Sequence, residues 1–295
     1  MSRRRGVVML SLDVEEFDLP REHGGKITVE QGAEVSAVGL RRVLEMLERT
    51  GVKATMFVTG NFATEKPELV QEMMQRGHEI GCHGVEHFEP KAGDATRGKE
   101  MLEKMLGKGR VIGYRQPRMF PISYPELKAA GYLYDTSVNP AFIPGRYNHL
   151  DAPRRAYRKD EVWEVPTSVA TFMRVPVFWL ALHVFPVWVY VILARMSLRA
   201  TGYMATYFHP WEFGEIRGRD AVPVYIKWNS GEKLVRKLEK VIRRLKGAGY
   251  DFVTYGEYVR GLEAKGGRTS GESSGKTARN TSKESSVNNG GKKND

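Results

Sequence analysis

Between residues 6 and 262, short apolar runs alternate with stretches whose apolar residues recur at helical spacing. Residues 7–12 are continuous and apolar, the pattern of a buried strand. Val38, Leu40, Val43, Leu44 and Leu47 fall on one helical face that Gly51 ends. Residues 53–59 (KATMFVT) are strand-like, 67–76 read as a helix opened by Pro67 and closed by Gly77, 79–83 as a strand and 99–106 as a helix. Further strands are predicted at 111–114, 133–135, 162–165 and 203–208. A strongly amphipathic helix through Leu234, Val235, Leu238, Val241, Ile242 and Leu245 precedes a last strand at 251–254. Strands and helices alternating at this spacing imply a parallel sheet with crossover helices, either a barrel or a doubly wound sheet, in a single α/β domain spanning residues 1–265.

Two segments tempt a different reading. Arg3-Arg4-Arg5 followed by an apolar run resembles a signal peptide, but Asp13, Glu15 and Glu16 end the run after about seven residues and no cleavage-like sequence follows. The expectation is a strand and no signal peptide. Residues 175–194 are apolar between Arg174 and Arg195, with His183 the one ionisable side chain, and are long enough to cross a bilayer. Pro176 and Pro186 interrupt a helix there, and five aromatic residues suit a headgroup-level position. We expect a helical excursion at 175–198, broken near Pro186, that lies in a membrane interface or packs on a partner subunit.

Composition refines this picture little. The chain has 295 residues, 46 Lys+Arg against 35 Asp+Glu and a net charge of +11; 41% of its residues are hydrophobic, as in an ordinary globular domain. Residues 266–295 carry +3 of that charge amid Gly and Ser, with only Ala278 and Val287 apolar, and are expected to be a disordered basic tail. The basic helix at 233–246 reads as a solvated face, so no nucleic acid partner is expected. Cys82, alone, excludes an intramolecular disulfide and is compatible with a reducing compartment.

Polar residues at the predicted strand ends form the candidate chemistry: Asp13, Glu15 and Glu16 after the first strand, His83 and His87 after the third, Arg115 after the fourth, Asp135 after a later one and His209 near the end. Two imidazoles plus a carboxylate give a three-ligand site with an open position, as catalytic zinc requires. Asp13 and Glu15, two apart on a strand, share a face, so one can bind metal while the other serves as base. Read alone, the histidine pair could equally be two surface side chains and the acids a solvated loop. Cys82 precedes His83 but is expected to point to the opposite face.

The ordered segments SLDVEEFD (11–18), GHEIGCHGVEH (77–87), GYRQP (113–117), GYLYDTS (131–137), VWEVP (162–166) and YFHPWEF (207–213) resemble the polysaccharide deacetylase family, the NodB-homology domain or carbohydrate esterase family 4, and within it the exopolysaccharide-associated branch. The resemblance runs from about residue 7 to 262. It implies a distorted (β/α) barrel with seven or eight mostly parallel strands, and an N-deacetylase of amino sugars. In it Asp13 is the base, His83 and His87 are metal ligands, Arg115 orients the base, His209 is the general acid and Asp135 the carboxylate that tunes it. Glu15 is then the acidic ligand, with Glu16 the alternative, because Val14 stands where the family's commonest motif has a second aspartate. Gly84 stands where many members have Ser or Thr. Trp211, Pro117 and Arg118 are the expected substrate contacts. The implied cofactor is a divalent metal, zinc first and cobalt or nickel next. The implied substrate is an N-acetylated glycan or a lipid-linked sugar. A cytoplasmic protein peripheral to the inner face of the membrane fits, with contact through 175–194, and a homo-oligomer is compatible. The rival readings are an amidohydrolase acting on a cyclic amide or ureide, and a glycan- or lipid-binding pseudoenzyme.

Overall fold

The structure, a computed structural model, describes residues 6–143, 147–171, 173–216, 218 and 222–271. Its strands are β1 (Val7–Val14), β2 (Thr55–Val58), β3 (Glu79–Cys82), β4 (Gly113–Tyr114), β5 (Tyr134–Asp135), β6 (Phe142–Ile143), β7 (Tyr147–Asn148), β8 (Tyr157–Lys159), β9 (Val162–Glu164), β10 (Tyr203–Phe208) and β11 (Asp251–Phe252). The main sheet runs in the order β10-β1-β2-β3-β4-β5-β9-β8, with β11 also on β1. Every pairing from β10 to β9 is parallel, and only β8 runs antiparallel, on β9. β1 is buried along almost its whole length because helices cover one face of the sheet and side chains fill the other, which is why it reads as an unbroken apolar run. The sheet curls until the segment after β9 meets β10. There Ser168 N–H donates to the Ala205 carbonyl at 2.9 Å, and Ala205 N–H donates to Ser168 Oγ at 2.9 Å. A single residue, not a strand, closes this seam. The small antiparallel strands β6, β7 and β8 carry no apolar alternation and were not expected from the sequence pattern.

The helices are α1 (Leu19–Glu22), α2 (Val29–Thr50), α3 (Gly60–Glu65), α4 (Pro67–Gln75), α5 (Asp94–Leu106), α6 (Tyr124–Ala129), α7 (Trp179–Val184), α8 (Val187–Thr201), α9 (Val224–Lys227), α10 (Glu232–Gly247) and α11 (Tyr255–Gly271). α2 begins well before the apolar stripe that predicts it. Thr28 caps it: its hydroxyl accepts from Gln31 N–H, and Gln31 returns a bond to Thr28 N–H, both at 3.1 Å. Gly51 ends it in the left-handed conformation at φ 61°.

Residues 175–198 do not stand off the domain. α7 and α8, separated at Phe185 and Pro186, pack on β10 and α10, and α8 buries Tyr190, Val191, Ala194 and Leu198. α8 is the crossover helix that delivers β10 beside β1. No described helix is long and apolar enough to cross a membrane. At the other end, α11 runs six residues into the segment expected to be disordered; residues 272–295 lie outside the described residues.

One close approach positions the chemistry. After β10 the chain makes a tight turn, Pro210–Phe213, that lies directly on α2, and Arg42 of α2 donates to the Phe213 carbonyl at 2.9 Å. The helix surface under the turn is Gly39, where a Cβ would lie 1.9 Å from the Pro210 carbonyl oxygen. Gly39→Ala should therefore displace the turn and destabilise the fold by about 1–3 kcal/mol or more, the usual range for forced overpacking. Thermal unfolding measures it; an unchanged midpoint would contradict the packing described.

Candidate metal and acid–base site

Parallel register brings the C-terminal ends of β1, β3, β4 and β10 to one pole, where a cleft of about 330 Å³ opens. Asp13, Glu15, His83, His87, Arg118, His209 and Trp211 line it, and Arg115 lies buried beneath. Seven of the eleven residues singled out by sequence thus face one cavity. The exceptions are Glu16, Arg115, Asp135 and Pro117.

Glu15 Oε2 lies 3.3 Å from His83 Nε2 and 3.1 Å from His87 Nε2. Each imidazole is held through its other nitrogen. His83 Nδ1 is 2.8 Å from the Arg115 carbonyl, so Nδ1 carries the proton and Nε2 presents its lone pair. His87 Nδ1 is 2.7 Å from Asp18 Oδ2. A carboxylate behind a ligating histidine fixes the ring and raises its basicity. Glu15 Oε2 and His83 Nε2 are both buried without a hydrogen-bond partner, which is costly unless a cation lies between them. Among the described residues, Glu15, His83 and His87 are the cluster whose ligand atoms converge, all within 4.8 Å of one another. These groups fit a divalent cation of the borderline kind that takes nitrogen and oxygen ligands.

The charge balance says the same. Asp13, Glu15, Glu16 and Asp18 are all buried here, and among the described residues Arg115 is the one fully buried Lys or Arg side chain against them. Burial opposes a charge on His87, yet Glu15, Asp18 and Glu16 push its pKa up to about 9. The pocket demands positive charge, and a metal ion would compete with that proton. Glu16 itself faces away from the cluster centre, accepting from Thr59 Oγ1 at 2.9 Å and Asn61 Nδ2 at 3.1 Å. Glu15 rather than Glu16 is the carboxylate between the histidines.

Asp13 is engaged on one side only. Arg115 donates to its Oδ1 at 2.5 Å, while Oδ2 lies 4.0 Å from His83 Nε2. Burial raises the Asp13 pKa, but the Arg115 guanidinium, aided by His83 and His209, outweighs it and holds the carboxyl below its usual range. Arg115 is itself fixed by Ser11 Oγ at 2.9 Å, the Thr136 carbonyl at 3.2 Å and Tyr255 OH at 3.3 Å.

The carboxylate behind His209 is not Asp135. Glu212 holds it: Oε1 is 2.8 Å from His209 Nδ1 and accepts His209 N–H at 2.6 Å, while Oε2 is 2.8 Å from His183 Nε2. Asp135 instead accepts from Ser137 N–H at 2.9 Å and Ser137 Oγ at 2.7 Å, and pairs with Glu164. Both of these buried carboxyls have raised pKa values, Glu164 far above the usual range, so they share a proton away from the acid. The physical reason is the turn after β10: in His209-Pro-Trp-Glu212 the fourth residue folds back onto the first, and a closer carboxylate takes the place expected for Asp135. Burial opposes protonation of His209, and Glu15, Glu212 and Asp13 overcome it, holding the pKa above the usual imidazole range. The sequence signal for Glu212 was present as a capping-box spacing, His to Glu at i+3.

Pro117 is also placed differently from expectation. It is buried and does not line the cleft; its ring lies beside Gly84, which is left-handed at φ 71° and where a Cβ would come 3.2 Å from the ring. Arg118 does line the cleft, with NH2 2.6 Å from Glu22 and NH1 buried without a partner. Trp211 donates to Glu15 Oε1 at 3.1 Å and stacks on His209 at 5.0 Å. Trp179, which sequence reading did not single out, meets His209 edge-on at 5.4 Å. Cys82 is buried in the core with its thiol pushed up to about 11 by burial, and takes no part.

A sequence model described as polysaccharide deacetylase matches residues 26–129, the stretch that holds His83, His87 and Arg115. Over that stretch the chain is similar to the polysaccharide deacetylase family. A peptidoglycan-N-acetylmuramic acid deacetylase of Bacillus subtilis is 30% identical over 125 residues, 39% of this chain and 47% of that protein. The chain spans about half the length of the curated relatives it matches. Among solved structures, a Mycobacterium smegmatis protein provisionally described as a polysaccharide deacetylase aligns over 97% of both chains with a TM-score of 0.56 and 17% identity. One from Pseudomonas aeruginosa PAO1, described in similar terms, aligns over 87% of this chain and 90% of that one, with a TM-score of 0.57 and 16% identity. At such identities the likeness shows the fold, a curled, mostly parallel sheet wrapped by helices.

If Asp18 holds His87 as a ligand, Asp18→Asn should weaken the affinity for Zn²⁺ about 10–100-fold. Titration calorimetry on the metal-stripped protein reads this, and an unchanged affinity would remove Asp18 from the site.

Proposed function

We infer that the protein is a metal-dependent hydrolase that removes N-acetyl groups from amino sugars of a glycan or lipid-linked saccharide. The observation that carries this reading is that Asp13, bonded to Arg115, and His209, bonded to Glu212, line the same cleft as the Glu15–His83–His87 cluster, with the Asp13 pKa held down and the His209 pKa held up. Hydrolysis of an amide needs a base to activate water and an acid to protonate the departing amine. Mere binding needs neither. The deacetylases named among the relatives support the substrate class.

A divalent cation held by Glu15, His83 and His87, with zinc the first expectation, supplies a Lewis acid and lowers the pKa of a water that it binds. The chain's own residues do the rest. Asp13, kept ionised by Arg115, accepts the proton of the attacking water through Oδ2. His209, kept protonated by Glu212, donates from Nε2 to the amine as the carbon–nitrogen bond breaks. Trp211 and Trp179 fix the His209 ring and wall the cleft with aromatic surface of the kind that stacks on sugar rings. The unpartnered NH1 of Arg118 offers a buried charged donor to an acceptor on the substrate.

Acetate release from a panel of N-acetylated glycans and lipid-linked amino sugars tests the reading. Zinc-loaded protein should release acetate from at least one, and Asp13→Asn should lose about 10²–10⁴-fold in turnover while still binding metal. Near-normal turnover in that variant, or no release from any N-acetyl sugar, would overturn the assignment.

The acid makes a separate prediction. Because Glu212 raises the His209 pKa, Glu212→Gln should move the alkaline limb of the kcat/KM profile to lower pH. Asp135→Asn should leave that limb where it is. The opposite pattern would restore Asp135 as the tuning carboxylate.

A further inference from the structure

Residues 165–211 contain no Asp or Glu. On α8, the side turned away from the core presents Trp188, Ile192, Arg195 and Arg199 at helical spacing, with Trp188 60% and Ile192 50% exposed. Val184, at the end of α7, is also exposed. Trp228, just after α9, is 73% exposed, and its neighbour Asn229 donates to the His183 carbonyl of α7. Lys233 Nζ donates to the Trp228 carbonyl at 3.5 Å. Lys237 donates to the Leu182 and Phe185 carbonyls, the latter at 3.0 Å. These bonds tie the exposed aromatic and aliphatic side chains of α7 and of the segment after α9 to one flank of α10, and α10 packs on α8.

The two flanks of α10 differ in charge. On the side toward α2, Glu232 and Glu239 pair with Arg236, Arg243, Arg42 and Arg49. On the side toward α7 and α8, Lys233, Lys237, Lys240 and Arg244 form a row at helical spacing, and none has an acidic partner among the described residues. A solvated face mixes charges of both signs. This one combines cations that have no acidic partner among the described residues with exposed tryptophan and isoleucine.

We propose that this face, formed by α7, α8, the Trp228 segment and the basic flank of α10, docks on an anionic lipid bilayer. Tryptophan favours the headgroup level, and each Lys or Arg near an anionic surface strengthens attachment about fivefold. A second copy of the chain would set one basic row against another in a two-fold contact and be repelled. The proposal does not depend on the deacetylase reading, but it has a consequence for it. α7 and α9 also wall the cleft through Trp179, Leu180, Tyr225 and Ile226, so docking brings the cleft mouth to the lipid surface.

Co-sedimentation of the full chain with phosphatidylcholine–phosphatidylglycerol vesicles, and with phosphatidylcholine alone, tests this. Binding is expected to the first and not the second, and to fall steeply as salt is added. Trp188→Ser combined with Trp228→Ser, and Lys233→Glu combined with Lys240→Glu, should each reduce binding at least tenfold without changing the circular dichroism spectrum. Lys104→Glu with Lys108→Glu, the same change in net charge on exposed residues elsewhere, should reduce it far less. Absence of binding to anionic vesicles, equal loss in the control pair, or concentration-dependent dimerisation abolished by the tryptophan variants would each overturn the proposal.

Discussion

A single buried guanidinium ties the site together. The Arg115 side chain joins β1 to the segments after β5 and β11 through Ser11, Asp13, Thr136 and Tyr255, and its cationic plane lies 4.3 Å from the Phe57 ring centroid. Its carbonyl holds His83 Nδ1. One residue therefore favours the ionised form of Asp13, the proposed base, with its side chain, and orients His83, a proposed metal ligand, with its backbone. A fully buried charge is tolerated only when its donors are satisfied, and here the satisfied network is also what orders the two halves of the chemistry. Glu15, Glu16 and Asp18 are buried beside this network, a setting that favours a cation in the cleft.

Much of this was legible in the sequence because parallel sheets place strand ends at one pole. Once residues 7–12, 79–83 and 203–208 are read as strands, Asp13, His83 and His209 must converge, whatever the distances between them along the chain. Glu15 was separable from Glu16 only in three dimensions, since both follow the same strand and the choice depends on how the backbone leaves Val14. Asp135 was misassigned for a related reason: a strand-end carboxylate looks available, but its partner Glu164, on the adjacent β9, is invisible until β5 and β9 are seen to pair. The turn that carries Glu212 was readable as a capping box, but within it only His209 and Trp211 were read for chemistry. The early start of α2 was signalled by Thr28 and Gln31 and hidden by the weak apolar periodicity of residues 29–37.

The apolar stretch at 175–194 shows how composition alone misleads. Its length matches a bilayer, yet its helices pack on β10 and α10 and eight of its twenty residues are buried, as a crossover in a parallel sheet requires. What distinguishes it from an ordinary crossover is the outer stripe, which carries tryptophan and isoleucine where a solvent-facing helix carries acids. α7, the helix just before α8, walls the cleft through Trp179 and Leu180, so the cleft wall and the unusual outer surface are built on adjacent elements.

The central claim is that Glu15, His83 and His87 hold a cation at the mouth of the barrel. Anomalous diffraction from crystals grown with Zn²⁺, recorded on both sides of the zinc edge, tests it most directly. The account predicts one strong peak among Glu15 Oε2, His83 Nε2 and His87 Nε2, with Asp13 still bonded to Arg115. A peak centred instead on Glu16 and Asp18, or a cleft without any peak beside zinc bound elsewhere, would contradict it.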